Sequence, residues 1–132
     1  MALFGRGMSK GYNANRERLD QVASFGKMLG KRAGFRCEWC DGADDLRVWD
    51  YRPAAEPAPE TLALLCGACR ELAGGRKGDE NRLHNLRNAL WSDIPAISEG
   101  AARVLARSRL SWVREAIEES LIDEGIKREL LG

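Results

Sequence analysis

The spacing of apolar residues changes twice along the chain and divides it into three parts. In residues 15–33 apolar side chains recur near helical spacing, although Gly26 weakens the middle of the segment. Residues 34–78 carry short alternating segments broken by turn residues, and residues 79–132 return to helical spacing. The pattern predicts an α+β protein with an N-terminal helix over 15–33, a small β core over 34–78 and a helical tail over 79–132 packed on that core.

The middle part of the chain predicts a β-hairpin. Residues 46–51 alternate large apolar and polar side chains, as a half-buried strand does, and turn residues at 41–45 precede them. Three prolines make residues 52–60 a loop. Residues 62–65 then form a second predicted strand, which leads directly into Cys66.

The last part of the chain predicts several helices. Ser92 or Asp93 is expected to cap one of them, because Pro95 then falls in its first turn, where a missing N–H costs nothing. Each helix has an apolar stripe that we expect to pack on the core or in a homodimer interface. The stripes are Leu83, Leu86, Ala89 and Leu90; Ile97, Ala101, Val104 and Leu105; and Trp112, Val113, Ala116, Ile117 and Leu121.

Charge is distributed unevenly along the chain. The whole protein carries +1, but residues 1–36 hold eight basic and two acidic side chains, a net charge of +6. Such a segment is suited to phosphate contacts, and we take Lys27, Lys31 and Arg32 as candidate nucleic-acid-binding residues; a solvated helix face is the alternative interpretation. Residues 1–14, rich in glycine and without an apolar period, are predicted to be a flexible arm.

All four cysteines fall in two Cys-x-x-Cys pairs, which is the pattern of a structural zinc site. No apolar run is long enough for a membrane span and no signal peptide is evident, so we expect a cytoplasmic protein whose thiols stay reduced. Four thiolates fill the coordination shell of Zn²⁺ and leave no position for substrate, which argues against an enzyme. The predicted ligands are Cys37, Cys40, Cys66 and Cys69.

Two further interpretations concern the surroundings of this site. Four thiolates and Zn²⁺ carry a net charge of −2, which Arg36, Arg47 and Arg70 are close enough in sequence to offset. Dithiol redox chemistry is the rival role for a Cys-x-x-Cys pair, although redox proteins use one pair at the start of a helix. The single histidine, His84, is not spaced as a ligand and supports no catalytic relay.

Several segments resemble the zinc-ribbon half of PhnA-type proteins, named for the alkylphosphonate utilisation operon. The resemblance covers about residues 34–121 and is strongest at Trp91-Ser92-Asp93-Ile94-Pro95-Ala96. It implies a small zinc protein of poorly defined role. The histidine-tryptophan pair that the family carries ahead of this segment is replaced here by Leu83-His84 in a shifted register.

The cysteine pairs are also similar to the treble-clef core of HNH endonucleases. In that family a strand between the two pairs delivers a catalytic histidine, and the matching position here is Asp50. The resemblance therefore implies a nuclease scaffold without the imidazole that activates water.

The sequence thus leaves two functions open. The first is a zinc-stabilised binding or adaptor module that contacts nucleic acid or a protein partner. The alternative is a degenerate HNH-type nuclease-like protein or an accessory enzyme of phosphonate metabolism.

Overall fold

A computed structural model describes residues 15–132; the predicted arm at 1–14 lies outside the described residues. Within 15–132 no helix is both long and apolar enough to cross a membrane. Short 3₁₀ turns occupy Pro59–Thr61 and Arg87–Trp91. The helices and strands are α1 (15–23), α2 (Gly26–Ala33), β1 (Arg47–Asp50), β2 (Leu62–Leu65), α3 (Gly67–Ala73), α4 (Glu80–His84), α5 (Pro95–Ala106), α6 (Val113–Glu119) and α7 (Glu124–Leu131).

The N-terminal helix is interrupted at residues 24 and 25. The Ser24 hydroxyl donates a 2.6 Å hydrogen bond to the Gln21 carbonyl, and the chain turns before α2 begins at Gly26. Serine side chains compete in this way with the helical backbone, and glycine adds little to hold the helix together. The single helix predicted over 15–33 is therefore two shorter ones.

The two predicted strands form an antiparallel hairpin, in which Arg47 pairs with Leu65 and Asp50 with Leu62. Every residue of β2 is buried, so both faces of this strand are covered. Leu62 and Leu64 pack with Val22 of α1 and Leu29 of α2, whereas the other face of β2 belongs to the larger core. The sheet therefore lies between the N-terminal helices and the helical tail.

The larger core joins the cysteine region to the tail. Its buried members include all of the predicted stripe residues of α4, α5 and the 3₁₀ turn between them, together with three of the cysteines. In α5 the predicted stripe is confirmed: Ile97, Ala101, Val104 and Leu105 are all buried. Arg107 at the end of α5 donates a 2.9 Å hydrogen bond to the Leu72 carbonyl of α3, which adds a polar tie between tail and core.

Two predictions for the helical tail, the cap of α5 and the burial of Leu121, are wrong. The N-cap of α5 is Ile94, and Ser92 instead accepts a 3.1 Å hydrogen bond from the Ile94 N–H in a local turn. Leu121 is 83% exposed, because α6 ends at Glu119 and the chain turns Ile122 inward instead. The buried Lys127 of α7 donates hydrogen bonds to the Glu118 and Ser120 carbonyls, and so satisfies backbone groups at the end of α6.

The contact between the hairpin and α5 depends on a glycine. Trp39 and Trp49 meet edge to face with ring centroids 5.1 Å apart, and the Trp39 indole N–H donates a 3.4 Å hydrogen bond to the Ala96 carbonyl. A Cβ at Gly100 would lie 2.8 Å from the Trp39 ring and 3.0 Å from the Trp49 ring. Gly100 therefore allows α5 to approach both indoles.

Replacing Gly100 by alanine should destabilise the protein. The extra methyl group forces two packed indoles apart, at a cost of about 1–3 kcal/mol, which outweighs a helix-propensity gain of up to about 1 kcal/mol. We expect urea denaturation to show a lower free energy of unfolding for Gly100→Ala. The matched control is Gly26→Ala, whose Cβ would meet only a Val48 methyl group at 3.8 Å. Equal stability of the two variants would contradict this account of the Trp39–Trp49 contact.

Candidate metal centre

The four cysteine side chains meet at one point between the hairpin, α3 and the start of the tail. Their sulfur atoms all lie within 4.8 Å of one another, and the Cys40 and Cys66 sulfurs are 3.6 Å apart. All four are free thiols; three of them are buried, and Cys40 is half-buried. Residues 29 positions apart in sequence, Cys40 and Cys69, thus belong to one cluster.

The first cysteine pair lies on a tight turn that we call the first knuckle, residues 37–42. The Cys37 N–H donates a 2.6 Å hydrogen bond to the Gly42 carbonyl, and the Asp41 N–H donates one of 2.9 Å to the Cys37 carbonyl. The Gly42 N–H then points to the Cys40 sulfur at 3.4 Å. Asp41 has a positive φ of 69°, a conformation that aspartate accepts more readily than most residues.

The second cysteine pair lies at the start of α3. Cys66 is the N-cap residue and Cys69 lies in the first turn, so both thiols are near the positive end of the helix. β2 ends at Leu65, directly before Cys66, and so delivers this pair beside the first knuckle. The Glu38 N–H donates a 2.8 Å hydrogen bond to the Leu64 carbonyl, which attaches the first knuckle to β2.

The thiols influence one another's ionisation. A hydrogen bond from the Cys69 thiol, with further bonds from the backbone N–H groups of Cys40, Cys66 and Trp39, lowers the pKa of Cys37 to about 5. Burial raises the pKa of Cys40 to about 11, and the thiol's bond to Cys37 together with burial raises the pKa of Cys69. The thiolate form is therefore favoured at Cys37 and disfavoured at Cys40 and Cys69, and a bound cation would favour deprotonation of the latter two.

The arrangement fits a tetrahedral metal ion. Metal–sulfur bonds of about 2.3 Å place the sulfurs of a Cys₄ tetrahedron about 3.8 Å apart, whereas a disulfide requires about 2.05 Å. The 3.6 Å separation of Cys40 and Cys66 is close to the first value and far from the second. The four cysteines can therefore hold one metal ion.

The arginines predicted to offset the charge of the site bind other groups in the structure. Arg70 donates hydrogen bonds of 2.6 and 2.7 Å to the Asp45 and Leu65 carbonyls and forms a 2.7 Å ion pair with Asp45. Arg47 also pairs with Asp45, at 3.3 Å, and Arg36 lies 3.4 Å from the Asp41 carbonyl. Arg70 thus fixes the turn before β1 to the end of β2 instead of donating to sulfur.

The three candidate nucleic-acid residues have different surroundings. Lys27 and Lys31 are exposed and four residues apart, so they lie on one face of α2. Arg32 instead binds both carboxylate oxygens of Glu38, at 2.8 and 2.7 Å, and the carbonyls of Pro59 and Leu62. Nucleic-acid contact by these residues stays a prediction, but Arg32 already has a structural role that its sequence context did not reveal.

Asp50, the residue at the HNH histidine position, is paired with a cation. Its Oδ2 accepts a 2.8 Å hydrogen bond from Arg18 of α1, which also donates to the Arg52 carbonyl. Asp50 Oδ1 is buried and has no hydrogen-bond partner among the described residues. The carboxylate therefore joins the N-terminal helices to the hairpin.

A cleft beside the first knuckle escaped the sequence analysis. It has a volume of about 760 Å³ and lies between residues 37–41 and the segment 84–92. The side chains that line it come from separate parts of the sequence, and no local sequence pattern marks them as neighbours. Comparison of the chain with protein-family models, with curated proteins and with solved structures finds no match.

Removing the Arg32 side chain should strongly destabilise the protein. Glu38 is only 5% exposed, so Arg32→Ala leaves a buried carboxylate without its partner, at a cost of about 3–5 kcal/mol. The measurement is the free energy of unfolding in urea. Arg76→Ala is the matched control, because the Arg76–Glu71 pair is exposed and such pairs contribute about 0.2–1 kcal/mol. Similar losses in the two variants would contradict the role given to Arg32.

Proposed function

We propose that this protein is a zinc-stabilised binding module and has no catalytic role at its metal. The convergence of four sulfur atoms within 4.8 Å carries the proposal. Cysteine thiolates in a tetrahedral set favour Zn²⁺ or iron, and zinc is the ion of closed structural sites. When bound, Zn²⁺ would supply positive charge to the thiolates and join the first knuckle to the start of α3.

Three features of the structure support different parts of this proposal: the order of its elements, the state of its thiols and its exposed surfaces. A knuckle, a hairpin and a second cysteine pair at the start of a helix follow one another in the order of a treble clef, which supports a treble-clef core; the PhnA-type relationship is proposed on the sequence resemblance alone. The four free thiols suit a reducing compartment, so we propose a cytoplasmic location. Lys27 and Lys31 present two exposed cations to a nucleic-acid or protein partner, and α6 and α7 remain candidates for a homodimer interface.

The nuclease alternative has weaker support. An HNH-type mechanism needs a base that takes a proton from water, and Asp50 at that position is bound by Arg18. His84, the single histidine of the chain, lies in the cleft beside residues 37–41, whereas Asp50 does not line that cleft.

The purified chain should contain about one zinc ion, and removing it should unfold the cysteine region. Structural zinc contributes about 10–16 kcal/mol of binding free energy, which is comparable to the whole stability of a small domain. We expect elemental analysis to show zinc, and chelation to abolish the cooperative melt followed by circular dichroism, with some helical signal retained from the tail.

Two variants sharpen this test. Cys66→Ser should lose the metal because it removes one ligand. Ala68→Ser is the control: it introduces a serine between Cys66 and Cys69 without removing a ligand, and should retain the metal. Iron absorption bands, reversible disulfides without metal, or an unchanged melt after confirmed metal loss would each overturn the structural-zinc proposal.

If α2 contacts nucleic acid, the double variant Lys27→Ala/Lys31→Ala should bind any sequence more weakly. Each lost phosphate contact lowers the slope of log affinity against log salt by about 0.7 for a single strand, so the slope should fall by about 1.4. Fluorescence anisotropy at several salt concentrations measures it. Lys77→Ala/Arg128→Ala removes two exposed cations elsewhere and serves as the control. An unchanged slope would assign α2 to a protein partner or to solvent.

A further inference from the structure

The cleft beside the first knuckle is lined by polar side chains that have no partners within the protein. Among the described residues 15–132, the side chains of His84, Asn85 and Asn88 make no hydrogen bond or ion pair, and neither does Arg87. Their donors and acceptors face the cleft or the solvent around it. A ligand can therefore use them without breaking any contact that holds the fold together.

Arg87 and His84 are positioned by a shared aromatic ring. The Arg87 guanidinium lies 5.9 Å from the centre of the Trp112 ring, and the His84 ring meets the same indole edge to face with centroids 5.3 Å apart. Cation–π contact restrains an arginine but does not use its N–H donors. Arg87 is therefore oriented and still able to bind an anion bidentately.

Trp91 gives the cleft an exposed aromatic surface. It is 45% exposed, whereas Trp39 on the other side of the cleft is 3% exposed. Leu86 and Leu90 of the same segment are fully buried, so the turn that carries Trp91 is anchored in the core. A fixed and accessible indole can stack on a planar ligand at little cost in conformational entropy.

The cleft has no excess of positive charge. Glu38 is neutralised by Arg32, which leaves Arg87 and Asp41 as its charged side chains outside the cysteine site. With zinc bound, Cys37 and Cys40 in the lining would add negative charge. A highly charged polyanion would gain little here from electrostatics alone. The cleft instead combines one aromatic platform, one cation and several amides, a set that matches an aromatic base attached to a single phosphate.

We propose that this cleft binds a nucleotide unit of single-stranded nucleic acid, with the base stacked on Trp91 and its phosphate bound by Arg87. The amides of Asn85 and Asn88 are placed to bond base edges, as asparagine does in nucleic-acid recognition. A paired duplex keeps its bases stacked inside and cannot present one to Trp91. The inference rests on the proposed binding function and identifies its ligand.

The test is titration of the zinc-loaded full chain with a fluorescein-labelled single-stranded DNA of about 12 nucleotides. We expect Trp91→Ala to weaken binding about 5- to 150-fold, since stacking on one aromatic side chain contributes about 1–3 kcal/mol. Trp91→Phe keeps a ring and should restore much of the affinity. Arg87→Gln should weaken binding and lower the salt slope by about 0.7, whereas Arg128→Gln, an exposed arginine outside the cleft, should change neither.

Two further ligands, a free nucleotide and a matching duplex, show which form of nucleotide the cleft binds. Competition by adenosine monophosphate at equal affinity would identify a free nucleotide as the ligand, and binding of the strand alone would identify nucleic acid; both results support the cleft. Tighter binding of the matching duplex without dependence on Trp91 would overturn the inference. So would wild-type affinity in both Trp91→Ala and Arg87→Gln, or no binding of any of the three ligands.

Metal content and melting temperature of every variant keep this test separate from the zinc proposal. A chain that contains zinc but binds no nucleotide loses only the cleft inference. A chain without metal loses the proposed function, whatever it binds. Trp91 is 45% exposed, so its variants should have melting temperatures within a few degrees of that of the wild type.

Discussion

The meeting of two cysteine pairs at one point is the constraint on which the rest of the structure depends. Cys37 and Cys40 come from a turn after α2, and Cys66 and Cys69 come from the start of α3, so their sulfurs can approach only if the hairpin between them closes. The site is small and the loop between the pairs is long, which makes closure entropically costly without a metal ion or an extensive core. The fold supplies part of this closure through β2, whose carbonyls and N–H groups also bind the first knuckle.

The sheet is stabilised from both sides because β2 has no solvent face. Helices α1 and α2 cover Leu62 and Leu64, and the tail covers Ala63 and Leu65. The Glu38 carboxylate joins these layers, since it binds Arg32 of α2 and accepts a 2.8 Å hydrogen bond from the Leu64 N–H. A two-stranded hairpin is marginal in isolation, and here packing on two faces removes that weakness.

The same arrangement separates the rigid part of the protein from the surface available for binding. The thiols, Trp39 and the anchoring leucines are buried, whereas Trp91, His84 and Arg87 border an open cleft next to the cysteine site. A metal ion at the cysteines would hold the first knuckle and so fix one wall of that cleft. Binding residues on a stabilised scaffold can then recognise a ligand without a large ordering cost.

The sequence by itself determined the elements whose signals are local. Cysteine spacing indicated the four-thiol cluster, alternation indicated β1, the apolar run after the proline loop indicated β2, and the α5 stripe was correct, because each signal comes from residues close in the chain. Only tertiary structure decided that Arg32 pairs with Glu38, that Leu121 is exposed, and that Trp91 and Arg87 border one cleft. Partner choice and exposure depend on which elements pack together, and the spacing of residues along one segment does not contain that information.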